Sequence, residues 1–169
     1  MDIRPTSDRL RETLFDVLCA GNPSVLEATI WLDLYAGTGA VGIEALSRGA
    51  GKVIFVESSA KAASLIESNL RSLQIDNRFE VMRTEVREAL QRLQNLTLEA
   101  DYVFLDPPYD MQQEYASTLN LLMRSQLVSA QAVVIAEHRK KFDPGADFGD
   151  LHRYRKLEQG DAALSLYRR

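Results

Sequence analysis

The sequence predicts an α/β fold, doubly wound around a mostly parallel seven-stranded sheet that ends in a C-terminal antiparallel hairpin. Three features carry this. Short apolar runs alternate with segments of helical periodicity, a glycine cluster follows the first run, and the last two runs flank a turn signal with no helix between them. The 169 residues suffice for one substantial core and are too few for two ordinary domains. Residues 1–169 are therefore expected to form a single domain, opened by a short helical lead-in at about residues 5–19.

Taken in order, Asp8 can cap a helix to about Leu18 that places Leu10, Leu14, Phe15 and Leu18 on one face. Ile30 to Tyr35 follows as a buried strand, broken by Gly37-Thr38-Gly39. Ala40 to Arg48 is helical and closed by Gly49. Lys52 to Glu57 is the second strand, and Ser59 to Leu73 repeats Ala62, Ile66, Leu70 and Leu73 at helical spacing. Phe79 to Met82 and Asp101 to Leu105 are further strands, separated by a helix from Val86 to Leu96. A helix from about Gln112 to Arg124 leads to a fifth strand, Ala132 to Glu137. Leu151 to Leu157 and Ala163 to Arg168 then form the hairpin around Gly160-Asp161. Such a parallel sheet binds ligands at the carboxyl ends of its strands.

Composition narrows the function classes. Hydrophobic residues make up 46% and charged residues 26% of the chain, an ordinary globular balance. No apolar run reaches the roughly 20 residues that span a bilayer, and no signal peptide opens the sequence, so no membrane partner is expected. A single cysteine, Cys19, excludes an internal disulfide and suits a reducing cytoplasm. His138 and His152 lack Cys or carboxylate partners at metal spacing, so no metal is expected. The net charge of −4 argues against coating nucleic acid by bulk electrostatics, yet basic residues gather locally. Arg4, Arg9 and Arg11 lie near the start, Arg139-Lys140-Lys141 after the fifth strand, and Arg153, Arg155 and Lys156 in the hairpin.

The chemistry begins at Gly37-x-Gly39-x-x-Gly42, which follows a strand and opens a helix, with Glu57 ending the next strand. Glycines admit close backbone approach, a helix N-terminus attracts an anion, and the acid can bind ribose hydroxyls. This pattern fits any adenosine cofactor, dinucleotide or sulfonium alike. Asp33, beside the ligand, would repel a pyrophosphate and could pair with an ammonium.

Asp106-Pro107-Pro108-Tyr109 ends the fourth strand at the same crevice. Two prolines fix φ and remove two N–H donors, leaving a rigid loop with carbonyls free to face a ligand. The Asp106 carboxylate and the Pro107 carbonyl would accept both hydrogens of an exocyclic amine, while Tyr109 supplies a face for a planar base.

With Asp33-Leu34-Tyr35-Ala36-Gly37-Thr38-Gly39, this loop resembles the class I methyltransferases that act on amino groups of bases. Residues 4–12 (RPTSDRLRE) and 42–50 (GIEALSRGA) make the chain similar to the bacterial family that methylates the N2 amine of a guanine in 16S ribosomal RNA. The resemblance implies S-adenosylmethionine as cofactor, S-adenosylhomocysteine as product, and small-subunit RNA within a particle as partner. It places Asp33, Tyr35, Gly37 and Gly39 on the methionine side, Glu57 at the ribose, and Glu85 and Val86 at the adenine, with Ser58 as a further cofactor-binding residue. Asp106, Pro107, Pro108 and Tyr109 become the catalytic loop. Arg4, Arg9, Arg11, Arg139, Lys140 and Lys141 become candidate phosphate contacts.

Three other functions compete. An adenine-N6 methyltransferase would use the same Asp-Pro-Pro-Tyr loop, but the segment between the fourth and fifth strands leaves no room for a target-recognition region. An NAD(P)-dependent oxidoreductase would share the glycine loop, against Asp33 and the proline pair. A silent RNA-binding module would have no use for Asp106.

Overall fold

The computed structural model describes residues 7–169. Within them, five helices and eight strands follow one another as α1 (Asp8–Leu18), β1 (Ile30–Leu34), α2 (Ala40–Ser47), β2 (Lys52–Val56), α3 (Ala60–Ser72), β3 (Phe79–Met82), α4 (Val86–Gln94), β4 (Ala100–Leu105), α5 (Gln113–Arg124), β5 (Val128–Arg139), β6 (Asp147–Phe148), β7 (Leu151–Gln159) and β8 (Ala162–Arg168). They build one sheet in the order β3-β2-β1-β4-β5-β8-β7-β6. The first five strands are parallel, and β8, β7 and β6 join antiparallel. The winding reverses between β1 and β4, which opens a crevice at their carboxyl ends.

Helices cover both faces because the central strands are apolar on both sides. On one face, Leu10, Leu14 and Phe15 of α1 pack with Val41, Ala45, Ile66 and Leu70 of α2 and α3. On the other, Val86, Leu90 and Leu93 of α4 pack with Tyr115, Leu119 and Leu122 of α5. Trp31 lies in the first of these clusters, stacked between Phe15 and Tyr102 with ring centroids 5.5 and 4.7 Å away.

Three local details depart from the expectation. The cap of α1 is Ser7, whose hydroxyl accepts from the Leu10 N–H at 3.2 Å; Asp8 is already helical and pairs with Arg11 at 3.0 Å. The sheet has eight strands rather than seven, because β6 adds two residues to the outer edge. Two residues are too few for alternation to show in a sequence. β5 begins at Val128, four residues before Ala132, and its pairing with β4 is interrupted by a bulge that exposed Ala130 and Gln131 conceal from periodicity. Among the described residues no helix is long and apolar enough to cross a membrane.

Candidate active site

The glycine loop is shaped from behind by two carboxylates. After β1 the chain turns through three left-handed residues, Tyr35 (φ 56°), Gly37 (φ 59°) and Gly39 (φ 79°). Gly39 then caps α2, and Gly42 lies so close to the second strand that a Cβ would stand 2.8 Å from Val53 Cγ1. Asp33 is buried, and its carboxylate accepts from the Gly42 N–H at 3.0 Å. Burial pushes the Asp33 carboxyl up to about 8; the Gly42 hydrogen bond opposes this and the neighbouring Glu57 and Glu137 reinforce it. Glu57, just past β2, accepts from the Gly37 N–H at 2.9 Å with one oxygen and from the Ser59 N–H at 2.8 Å with the other. A single carboxylate thus ties the glycine loop to the start of α3, which Ser59 caps.

Tyr35 ties the same loop to the opposite half of the sheet. Its hydroxyl donates to Glu114 Oε2 at 3.1 Å and lies 2.8 Å from the Thr118 hydroxyl, both on α5. Burial raises its pKa further above the usual phenol value.

Residues 106–109 leave β4 beside this loop. Pro107 is buried, whereas Asp106, Pro108 and Tyr109 are half-buried. The Pro108 carbonyl accepts from the Met111 N–H at 2.9 Å, closing a turn that leads into α5. The Arg139 guanidinium lies over the Tyr109 ring, 4.0 Å from its centroid.

Both loops open on one cavity of about 420 Å³, within the range of small-molecule sites. Tyr35, Gly37, Glu57, Ser58, Glu85 and Val86 line it from one side, and Asp106, Pro107, Pro108 and Tyr109 from the other. Asp33 and Gly39 are not on its wall; they stand behind it, holding the loop. The wall also includes Thr84 and Asp110, which sequence reasoning did not single out although each adjoins a residue that it did. Four carboxylates, Glu57, Glu85, Asp106 and Asp110, reach this wall, and among the described residues no Lys or Arg does. The cavity therefore favours a cationic ligand and disfavours pyrophosphate, by the Coulomb term that burial strengthens.

The candidate phosphate contacts divide. Arg4 lies outside the described residues. Arg9 is exposed on α1, while Arg11 is engaged by Asp8. Arg139, Lys140 and Lys141 are exposed at the carboxyl end of β5, the cavity's end of the sheet, where Lys140 pairs with Glu158 at 3.6 Å. The third basic group lies on β7, with Arg153 bound to Asp143 at 2.8 Å.

The sequence model of the family described as conserved hypothetical protein 95 matches residues 1–168. YlbH of Bacillus subtilis is 32% identical over 98% of this chain and 88% of its own length. Ribosomal RNA small subunit methyltransferase D of Escherichia coli (strain K12) is 30% identical over 99% of this chain and 80% of its own. Among solved structures, a conserved hypothetical protein of Streptococcus pyogenes superimposes with a TM-score of 0.81 at 30% identity, covering 93% of each chain. A family match along almost the whole chain places it in the conserved hypothetical protein 95 family, and at 30% identity over most of both chains it is a relative of ribosomal RNA small subunit methyltransferase D.

Proposed function

We propose that this protein transfers a methyl group from S-adenosylmethionine to the exocyclic N2 amine of a guanine in the 16S ribosomal RNA of the small subunit, in the cytoplasm. The observation that carries this is the meeting of the glycine loop and residues 106–109 in one cavity walled by four carboxylates. That wall suits a ligand bearing a sulfonium and an ammonium, and the methyltransferase relatives support the same reading.

The residues fit the cofactor. Gly37 lets the chain approach the methionine part, Glu57 retains lone pairs for ribose hydroxyls, and Glu85 and Val86 flank the place for the adenine. Asp33 acts through the loop it holds, its carboxyl accepting from the Gly42 N–H behind the cavity. When bound, the cofactor supplies an electrophilic methyl on sulfur.

The chain's own part is to position the nucleophile. An aromatic exocyclic amine is a poor nucleophile because its lone pair is delocalised into the ring. Asp106 and the Pro107 carbonyl accept its two N–H bonds, which favours a pyramidal nitrogen with its lone pair directed at the methyl. Orientation of this kind reaches effective molarities of about 10⁵ M or more, so no strong base is required. The amine proton leaves after transfer, toward Asp106 or water. Tyr109 holds the plane of the base, which must be unpaired or flipped for its amine to enter the loop.

The test is transfer of a labelled methyl group from S-adenosylmethionine to small subunits isolated without this modification, followed by identification of the nucleotide. Label on guanine N2 is expected. Label on adenine N6 would replace the substrate, and no transfer would remove the function.

A further inference from the structure

The pairing of β1 with β4 ends at Leu34 and Leu105, which stand opposite each other. Tyr35 and Asp106 come next on the two strands, and there the chains part. The first turns into the glycine loop with Tyr35 at φ 56°, a backbone conformation that is costly for any residue bearing a Cβ. The second runs through Pro107 and Pro108, makes the turn in which the Pro108 carbonyl accepts from the Met111 N–H at 2.9 Å, and enters α5 at Gln113. The Met111 carbonyl accepts in turn from the Glu114 N–H at 3.0 Å. The loop and the first turn of α5 are therefore one hydrogen-bonded arc.

The Tyr35 side chain is the chord of that arc. Its hydroxyl donates to Glu114 Oε2 at 3.1 Å. One phenol proton makes one such bond, so the Thr118 hydroxyl, 2.8 Å away, donates to the phenol oxygen. Glu114 and Thr118 stand one turn apart on the same face of α5, and Thr118 is buried. The arc from Leu105 to Glu114 is thus fastened at one end by strand pairing and at the other by a phenol that belongs to the neighbouring strand's loop. The same tyrosine lines the cavity. A ring that only filled space there would need no hydroxyl, and a turn that needed only a positive φ would take glycine.

We infer that Tyr35 is a positioning residue for the methyl transfer: its hydroxyl, tied to Glu114 and Thr118, sets how far the loop at residues 106–109 stands from the glycine loop and so from the cofactor. This role rests on the function proposed above. It makes the gap between methyl donor and amine acceptors depend on one side chain rather than on two loops folded independently. A displacement of about 1 Å across such a gap can cost about 100-fold in rate.

The experiment compares Tyr35→Phe, Glu114→Gln, Glu114→Ala/Thr118→Val and the triple variant Tyr35→Phe/Glu114→Ala/Thr118→Val in methyl transfer to undermethylated small subunits. It separates kcat from KM well below each melting temperature and reads cofactor affinity by calorimetry. Tyr35→Phe keeps the ring on the cavity wall, so cofactor affinity is expected to stay nearly unchanged while kcat falls about tenfold or more. Glu114→Ala/Thr118→Val removes the same tie from the other end and should match it. The triple variant should be slower than either by less than about twofold, because all of them break one chord. Glu114→Gln keeps an oxygen that accepts from the phenol and should retain most of kcat. A Tyr35→Phe enzyme with full kcat would overturn the inference, as would equal losses in kcat and cofactor affinity, which would make Tyr35 only a wall of the cofactor site. Multiplying losses in the triple variant, or a Glu114→Gln enzyme as slow as Tyr35→Phe, would overturn it too. If the unsubstituted protein transfers no methyl to small subunits, the functional reading fails first and this role with it. Activity in the unsubstituted protein with the wrong pattern among variants defeats this role alone.

Discussion

The two loops that face the cavity end neighbouring strands, yet they are held in opposite ways. Residues 33–42 are rich in N–H donors, and buried or half-buried carboxylates collect them: Asp33 takes Gly42, and Glu57 takes Gly37 while also holding Ser59 at the start of α3. Residues 106–109 have lost two donors to proline and are stiffened by covalent rings, by a turn at Pro108 and by the guanidinium over Tyr109. The first arrangement shapes a loop from behind, for a ligand seated deep in the fold. The second has fewer donors to satisfy and, under the function proposed above, would meet a large substrate that arrives from outside.

The sharpest way to break this comparison is at Asp106. Asp106→Ala should lower turnover by about 100-fold or more while cofactor affinity, read by calorimetry, stays nearly unchanged. If cofactor binding were lost in parallel, the two halves would not be separate devices.

The next test concerns the carboxylate behind the glycine loop. The Asp33 carboxyl is raised from its ordinary 3.8 to about 8, so between these values the folded protein binds a proton that the unfolded chain has released. Its contribution to stability therefore falls as pH rises from about 4 to about 8 and is flat above, with a slope of at most about 1.4 kcal/mol per pH unit. Asp33→Asn should remove that slope when melting is followed from pH 5 to 9, since an amide oxygen can still accept from Gly42. An unchanged slope would show that Asp33 is ionised throughout.

Gly42→Ala should cost about 1–3 kcal/mol of stability, because a Cβ would meet Val53 and Phe55 inside the core. A denaturant midpoint equal to that of the unsubstituted protein would mean that α2 can move outward without loss. Tyr109→Ala should cost transfer about 1–3 kcal/mol, the usual stacking range, and Tyr109→Phe much less. Equal damage from both would make the hydroxyl rather than the ring face the important part. The smallest effect is expected at Arg11→Ala, whose exposed pair with Asp8 is worth no more than about 1 kcal/mol. A large fall in RNA affinity there would bring α1 into the substrate surface.

Much of this architecture is legible in the residues alone. Helical spacing at Ala62, Ile66 and Leu70 locates α3, and the strand Phe79–Met82 falls where its apolar residues place it. Both loops can be found because their residues have local reasons to exist: glycine where φ is positive, proline where a donor is absent. The two-residue β6 and the early start of β5 escape, since neither leaves a periodic trace.

The sequence by itself determined the order of elements, the hairpin at the end and the identity of the two loops, because each depends on residues within a turn or two of one another. Only the tertiary structure decided which groups meet. Tyr35 reaches Glu114 across 79 residues, and Arg139 covers Tyr109 only because β5 outruns β4 by three residues in a register that many distant contacts fix together. The same assembly set Asp33 behind the loop rather than on the cavity wall and brought four carboxylates from three segments to face one space. Periodicity and turn chemistry are local properties, whereas burial, charge and stacking belong to the packed whole.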